Sequence, residues 1–498
     1  MSQINTFKLV LLTTLFIKLL LAYALPLSGD EAYFVLWAQH LDFGYYDHPP
    51  MVGWFLHLML YLGHSEVILR LPAIMTSTLI GIGIYQLLKP LDDRKAKLVA
   101  ILFLLSPLNV LNVLITTDTP LILFAFMSMA SLYKALQQNK YSWYALSGVF
   151  FGLAFLSKYF AVLLGLAYLA YWILSNKNIN KSKGFVLLFL ASLPFALVNI
   201  YWNYTHCWDN ILFNLYTRNE GAKFSFGTLG VFFAVQIYLI TPPLIYFLLK
   251  NRANVIQKIK HDQFTLFAFI FIIPLLIFTL LSFKKVVGLH WVLAFYPALY
   301  LMVFQFLNPP ELIKTIKFMA AFTTLHLLII IGIASYPLET WQGKHMYAGA
   351  VLMFDPEPII EQIRPYEQQQ FILATDGYSP SASMSYQYGK PFFVYGEGGL
   401  HARQDDMLTD FREFKGRNIL VLSKSEPIMS EYLPYFKRVE TKEFTLRGAP
   451  FYLVLGYEFN YEQYKEGVLR PIKHKYYKIP DYLPHAPCYF CEKYFPGE

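Results

Sequence analysis

The chain is 498 residues long, with only 15% charged residues, 18% aromatic residues and a mean hydropathy of +0.40. Soluble domains carry about 25% charged residues, so a single soluble core cannot hide this much apolar surface, and disorder is excluded because disordered chains are polar and poor in aromatics. Three cysteines are too few for a disulfide-framed scaffold, which leaves a polytopic α-helical membrane protein with an attached soluble part.

Charge divides the chain. Residues 1–335 hold 23 Lys and Arg against 12 Asp and Glu, whereas residues 336–498 hold 18 against 21. The basic excess therefore belongs to the apolar portion, where Lys and Arg set topology rather than bind nucleic acid. The expected organisation is a multi-span membrane domain over 1–335 and a soluble domain over 336–498. A helix needs about 20 mostly apolar residues to cross the hydrocarbon core. Eleven stretches qualify: 7–26, 67–88, 98–116, 119–137, 141–157, 159–175, 184–202, 228–249, 264–282, 287–307 and 316–335. None alternates with period two, so they read as helices rather than a barrel. Ala22-Tyr23-Ala24 resembles a signal-peptide cleavage site, but the run is long and contains Lys18, and it is read as a retained span.

Placing the N-terminus in the cytoplasm puts most loop cations inside: Lys89, Arg94, Lys95 and Lys97; Lys134 and Lys140; Lys177, Lys181 and Lys183; Lys250, Arg252, Lys258 and Lys260; Lys314 and Lys317. The outer loops then hold Lys158, Arg218, Lys223, Lys284 and Lys285, a bias that follows the positive-inside rule. Eleven spans leave the C-terminal portion outside. Most acids of the membrane part also fall on the outer side: Asp30, Glu31, Asp42, Asp47, Glu66, Asp118, Asp209 and Glu220. An outward cavity lined by carboxylates and cations reads as a catalytic or transport site. No nucleotide-binding glycine loop is present to drive an ATP-powered pump.

The first outer loop reads Ser28-Gly29-Asp30-Glu31-Ala32-Tyr33 and continues to Tyr45-Tyr46-Asp47-His48-Pro49-Pro50. Asp30 is placed either to cap the following helix or to face a cavity, two roles that are compatible. His48 is a proton carrier, phosphate donor, metal ligand or plain surface histidine. The next outer link, Thr116-Thr117-Asp118-Thr119-Pro120, suits a helix start, with Asp118 or Thr119 at the cap. Lys158, between two apolar runs, either snorkels to the headgroups or faces the cavity. Loop 203–227 carries His206, Trp208, Asp209 and Arg218, whose planar guanidinium suits a pair of phosphate oxygens. Phe283-Lys284-Lys285 and His290-Trp291 form an interfacial belt or a lipid-phosphate site. Carboxylates orient or activate an acceptor, cations stabilise a departing phosphate, and apolar helices hold a lipid tail, so a lipid-phosphate sugar donor would use all three.

These motifs, in order over residues 1–335 and extended by Gly152-Leu153 through Ser157-Lys158-Tyr159 and by Trp202-Asn203 through Trp208, resemble the GT-C class of membrane glycosyltransferases. The nearest group contains the protein O-mannosyltransferases and the lipid A aminoarabinose transferases (glycosyltransferase families 39 and 83). The resemblance implies an inverting transferase that uses a polyprenyl-phosphate sugar. It points to Asp30 as catalytic carboxylate, with Glu31 beside it, to Asp118 as a second important acid, and to Arg218 or Lys158 on the donor phosphate. Lys284, Lys285 and His48 complete the candidate phosphate-binding set. Aminoarabinose transferases tend to have Glu-Lys-Pro where this chain has Asp47-His48-Pro49, which leaves donor identity and any metal open. A divalent ion, with Asp47, His48 and Asp118 as candidate ligands, is therefore an alternative rather than an expectation.

Residues 336–498 carry no family motif. Apolar runs at 371–374, 418–422 and 451–455, with helical stretches around 355–363 and 405–415, read as a small α/β domain. Cys488 and Cys491 form a CxxC pair that is expected to be oxidised outside the cytoplasm and is weak for zinc. The expected protein is a multi-pass enzyme of a bacterial inner membrane, N-terminus cytoplasmic and C-terminal domain periplasmic. It would pass a sugar from undecaprenyl phosphate to a lipid or glycan acceptor such as lipid A of the lipopolysaccharide. A protein O-mannosyltransferase and a lipid-linked glycan flippase are the rivals. The latter is disfavoured because the charges gather at the outer helix ends and no paired halves are visible.

Overall fold

The structure is a computed structural model and describes residues 3–175, 179–219, 223–253 and 262–497. Lys177, Glu220, Lys258 and Lys260 lie outside the described residues. The chain forms two compact units. The first comprises Met1–Leu25, Pro49–Asn199 and Gly221–Ile331, and the second Pro26–His48, Ile200–Glu220 and Gly332–Glu498. The sequence reading cuts the chain once, between 335 and 336, whereas the second unit also gathers 26–48 and 200–220.

The first unit is helical. Among the described residues, seven helices are long and apolar enough to cross a membrane: Thr6–Ala24, Glu66–Leu88, Asp118–Gln138, Ile179–Thr205, Phe264–Ser282, Leu289–Phe306 and Pro309–Ser335. The pair Phe226–Ile240 and Pro242–Lys250 makes an eighth span if counted together, although it bends by 86°. The bend has a sequence cause: Thr241 precedes the Pro242-Pro243 pair and adopts φ +74°, out of the helical region that a following proline disfavours. Exposed Leu325, Leu328, Ile329 and Ile331 on the last helix present an apolar face that only lipid satisfies. The protein is therefore a multi-pass membrane protein.

Three expected spans are shorter than the sequence suggests. The 98–116 run is broken into Asp93–Leu104, with 12 residues, and the four-residue helix Pro107–Val110. Pro107 cannot continue the ladder and holds Ser106 extended. The 141–157 and 159–175 runs become Tyr141–Phe155 and Ala161–Ser175, each 15 residues long. Small and hydroxylated residues let these helices approach. Ser128 hydroxyl bonds the Ser147 carbonyl at 2.9 Å and the Tyr168 hydroxyl at 2.9 Å, and Gly148 lies so close to the Leu188 carbonyl that a side chain there would collide with it.

The second unit is built on a five-stranded sheet ordered β2-β1-β3-β5-β4, with β1 Ile372–Thr375, β2 Phe393–Val394, β3 Ile419–Ser423, β4 Phe436–Leu446 and β5 Ala449–Phe459. The strands β1, β2 and β3 run parallel, and β5 and β4 return antiparallel. Every residue of β3 is buried, as an apolar run at a sheet centre requires. Arg447 and Gly448, at φ +49° and +75°, form the two-residue turn between β4 and β5, the geometry that matches strand twist. The α/β expectation holds, with the helices at Glu357–Gln368 and Arg403–Leu408; the expected 405–415 helix stops at 408 and a single 3₁₀ turn follows at Phe411–Phe414.

Candidate functional site

In the second unit, the helix Gly29–Gln39 opens with a complete capping box. The Ser28 hydroxyl accepts from the Glu31 amide at 3.3 Å, while Glu31 Oε2 accepts from the Ser28 amide at 3.0 Å and the Ser28 hydroxyl at 3.1 Å. Glu31 is buried, and its carboxylate is committed to this cap. Of the two readings of Asp30, cap or cavity carboxylate, the cap falls to Ser28, which spares the Asp30 carboxylate. Asp30 is exposed and accepts one hydrogen bond, 3.0 Å long, from the Tyr378 hydroxyl. Burial, together with the neighbouring Asp30 charge, raises the Tyr378 phenol above its ordinary range, so it stays a donor. Gly29 makes this placement achievable, because a Cβ there would fall 1.8 Å from Ser379 Oγ.

Tyr378 is also in ring contact with Tyr33 and with His401, at centroid distances of 4.9 and 5.6 Å. His401 Nδ1 lies 3.0 Å from Asp47 Oδ2, and its backbone carbonyl accepts from the Tyr33 hydroxyl at 2.8 Å. Asp47 is buried, and Oδ1 has no hydrogen-bond partner among the described residues. Burial pushes its carboxyl up, but His48 and the His401 contact together hold it below the usual range. Asp30 and Asp47 of the first loop are thus joined through two side chains of the C-terminal portion, Tyr378 and His401. His48 packs edge-on to Trp37 at 6.3 Å. Segment 200–220 supports the same loop: Asn210 donates to the Tyr45 carbonyl at 2.7 Å and Asn214 to the Asp47 carbonyl at 3.1 Å. Arg218 sits half-buried in the short 3₁₀ turn Thr217–Asn219 that ends this segment.

Beyond these lies a buried acid network. Asp209 accepts from Tyr489 at 2.8 Å, Tyr489 and Tyr477 hydroxyls meet at 2.9 Å, and Tyr477 donates to Asp406 at 2.8 Å. Arg403 Nη1 is 3.1 Å from Asp406. Burial raises the carboxyls of Asp209, Asp406 and Asp405, the last to about 8 with the Asp406 charge as second cause.

In the first unit, the helix Asp118–Gln138 starts after Thr117, whose side chain makes no cap bond. Asp118 does not cap either. Its Oδ2 pairs with Lys158 Nζ at 2.7 Å, both side chains being nearly buried, and Oδ1 has no hydrogen-bond partner among the described residues. Lys158 therefore does not snorkel to the surface; it lies inside, 5.3 Å from the Phe160 ring centroid. His290 Nε2 is 3.9 Å from the same Asp118 oxygen and half exposed. Lys285 stands over Trp291 at 5.3 Å, and Lys284 is exposed. The sequence motifs at 117–120, 157–159 and 290–291 thus converge on one carboxylate.

Among the described residues no group of three or more His, Cys, Asp or Glu is placed to hold an ion, and catalytic zinc sites use three protein ligands. Asp47 has His401 as its imidazole neighbour, and Asp118 has a lysine ammonium where an ion would stand. Tyr378 and His401 were not foreseen from the sequence. Gly377-Tyr378-Ser379-Pro380 and Gly398-Gly399-Leu400-His401 read as ordinary turns, and nothing local signals the partners they reach.

Fold and helices together define a multi-pass membrane protein with the architecture of the GT-C class glycosyltransferases, the class the motifs resemble. The crystal structure of ArnT from Cupriavidus metallidurans bound to undecaprenyl phosphate matches with a TM-score of 0.63 at 14% identity, covering 91% of this chain and 98% of that one. The same protein in the apo state matches with a TM-score of 0.62 and the same coverage. In sequence, residues 47–202 match the family described as dolichyl-phosphate-mannose-protein mannosyltransferase. The lipid A galacturonosyltransferase RgtD of Rhizobium johnstonii is 24% identical over 296 residues, which are 54% of this chain and 58% of that protein. The chain thus spans little more than half the length of the curated relative it matches.

Proposed function

We propose that the protein is an inverting glycosyltransferase of a bacterial inner membrane. It takes a sugar from a polyprenyl-phosphate donor and passes it to an envelope glycolipid of the lipid A type at the periplasmic face. The observation that carries the reading is the division of labour at the first helix of the second unit. Glu31 closes the cap, and Asp30 is left exposed with one carboxylate oxygen held by Tyr378. Similarity to a lipid A galacturonosyltransferase, and a fold shared with a protein crystallised with undecaprenyl phosphate, support the donor and acceptor classes. The membrane domain is assigned to 1–335 and the periplasmic domain to 336–498, with the N-terminus in the cytoplasm.

The chemistry is a single displacement. An acceptor oxygen attacks the anomeric carbon, the bond from that carbon to the phosphate oxygen breaks, and the polyprenyl phosphate leaves with the electron pair. Asp30 takes the acceptor proton, or orients the acceptor where its oxygen is already ionised. Tyr378 keeps the carboxylate in one orientation. Charge develops on the departing phosphate, and Arg218, a permanent planar cation, is assigned to it, with Lys284, Lys285 and His48 as further donors. Lys158 is the other candidate for that phosphate, and it is paired with Asp118 at 2.7 Å.

The test is direct. Asp30→Asn should lower transfer by about 10²–10⁴-fold, the range for a positioned acid–base group, with insertion and folding intact. Transfer is read by mass spectrometry of envelope lipids from cells carrying the parent or variant gene. Arg218→Ala should raise the donor KM more than it lowers kcat. Full activity of Asp30→Asn ends the assignment, and a pure kcat loss in Arg218→Ala removes that residue from donor binding.

A further inference from the structure

Cys207 is far in sequence from the Cys488–Cys491 pair, yet all three cysteines of the chain meet in the second unit. Cys207 Sγ lies 2.6 Å from Cys488 Sγ, across 281 residues of chain. Cys207 and Cys488 are buried in one hydrophobic cluster with Phe490 and Tyr494, and Cys491 packs against its edge, half-buried. The sequence pairs Cys488 with Cys491; the fold keeps Cys491 within hydrogen-bond reach of Cys488 and adds Cys207 as a second, buried partner.

The backbone around Cys207 is shaped for this meeting. Cys207 and Trp208 both adopt left-handed φ angles, +55° and +61°, which non-glycine residues hold only where their surroundings impose them. The surroundings are the C-terminal strap. The Cys207 amide donates to the Pro487 carbonyl at 3.0 Å, Trp208 Nε1 donates to the Pro484 carbonyl at 3.0 Å, and Trp208 packs with Ala486. A strained two-residue turn is thus held in register with the residues that lead into Cys488.

We propose that Cys207 and Cys488 are joined by a disulfide in the mature protein, clamping the segment that carries Asn210, Asn214 and Arg218 to the C-terminal strap, with Cys491 remaining a thiol. The inference rests on the periplasmic placement proposed above, because a stable disulfide needs an oxidising compartment. Chemically, the two thiols lose two protons and two electrons as the S–S bond forms. The acceptor is the disulfide of a periplasmic thiol–disulfide exchange protein, which departs as a dithiol. Burial raises the Cys207 thiol to about 11, and Cys488 is raised by the sulfur beside it and by burial. Buried in this cluster, the bond once formed resists reductants that cannot enter.

The cross-link is read on the full-length protein, quenched with N-ethylmaleimide at cell lysis and digested without reductant. The expected result is one peptide pair joining Cys207 to Cys488, with maleimide on Cys491 alone; after reduction all three cysteines take label. Cys491→Ala should leave the pair intact, and Cys488→Ala should abolish it. Three labelled thiols before reduction, or a Cys488–Cys491 link, overturns the proposal. Placement is read separately by adding Ser430→Cys, at an exposed position of the same unit, and labelling spheroplasts with a membrane-impermeant maleimide. Label gained on spheroplasts together with free native thiols refutes the cross-link alone. Label gained only after lysis refutes the periplasmic placement and the cross-link with it.

Discussion

Asp30 and Glu31 are adjacent carboxylates with opposite duties, and this separates cleanly by mutation. Glu31 is 1% exposed, and its Oε2 satisfies both the amide and the hydroxyl of Ser28. Replacing it with alanine removes a cap contact worth about 1 kcal/mol and leaves a partly buried donor unsatisfied at about 1–3 kcal/mol. Glu31→Ala should therefore destabilise by about 2–4 kcal/mol. Glu31→Gln keeps an acceptor oxygen in the same place, and capping boxes accept glutamine at this position, so it should cost under about 1 kcal/mol. Asp30→Asn touches only Tyr378 and lies in solvent, so its stability should stay within about 0.5 kcal/mol of the parent while its transfer activity collapses. The assays are thermal unfolding of the detergent-purified protein by tryptophan fluorescence, and sugar transfer in proteoliposomes. The reasoning fails if folded Glu31→Gln is as inactive as Asp30→Asn, because Glu31 would then be acting on substrate rather than on the helix start.

Lys158→Met should destabilise by about 3–5 kcal/mol, because it strands the Asp118 carboxylate beside Lys158 in a buried setting. The double variant with Asp118→Asn should recover most of that loss, and a double variant as unstable as the single one refutes the buried pair. Gly29→Ala should cost about 1–3 kcal/mol through collision with Ser379 Oγ; Ser379→Gly should partly restore thermal stability, and no rescue means the helix start is not seated as described. Asp405 titrates near 8 in the folded protein because it is buried and lies close to Asp406, against about 3.9 unfolded. Between these values the folded state binds more protons than the unfolded state, so this group's contribution to stability falls as pH rises from about 4 to 8 and then levels. Asp405→Asn should flatten that fall in denaturation midpoints measured across the window; an unchanged slope excludes Asp405 as its source.

The membrane helices were readable because lipid imposes one rule on long apolar runs, and the runs at 67–88, 119–137 and 264–282 obey it. The run at 98–116 misled because hydropathy is blind to Pro107, whose ring stops a helix inside an otherwise uniform apolar stretch. Strand β4 was missed for the converse reason: its middle, Lys437-Arg438-Val439-Glu440-Thr441-Lys442-Glu443, is a polar edge strand with little apolar signal. The capping box was present in the sequence all along, since Ser28 is followed three residues later by Glu31 ahead of an apolar run. Reading it there would have separated Asp30 from Glu31 before any coordinates existed. Long-range pairings are different in kind. Lys158 meets Asp118 across 40 residues, His401 meets Asp47 across 354 and Cys207 meets Cys488 across 281. No local propensity encodes such distances. The last two follow from the second unit being assembled from three separate stretches of chain, so that a C-terminal portion without motifs supplies Tyr378 and His401 to acids near the N-terminus. The groups that orient the carboxylates are thus set by the particular way this chain folds back on itself, not by any motif beside them.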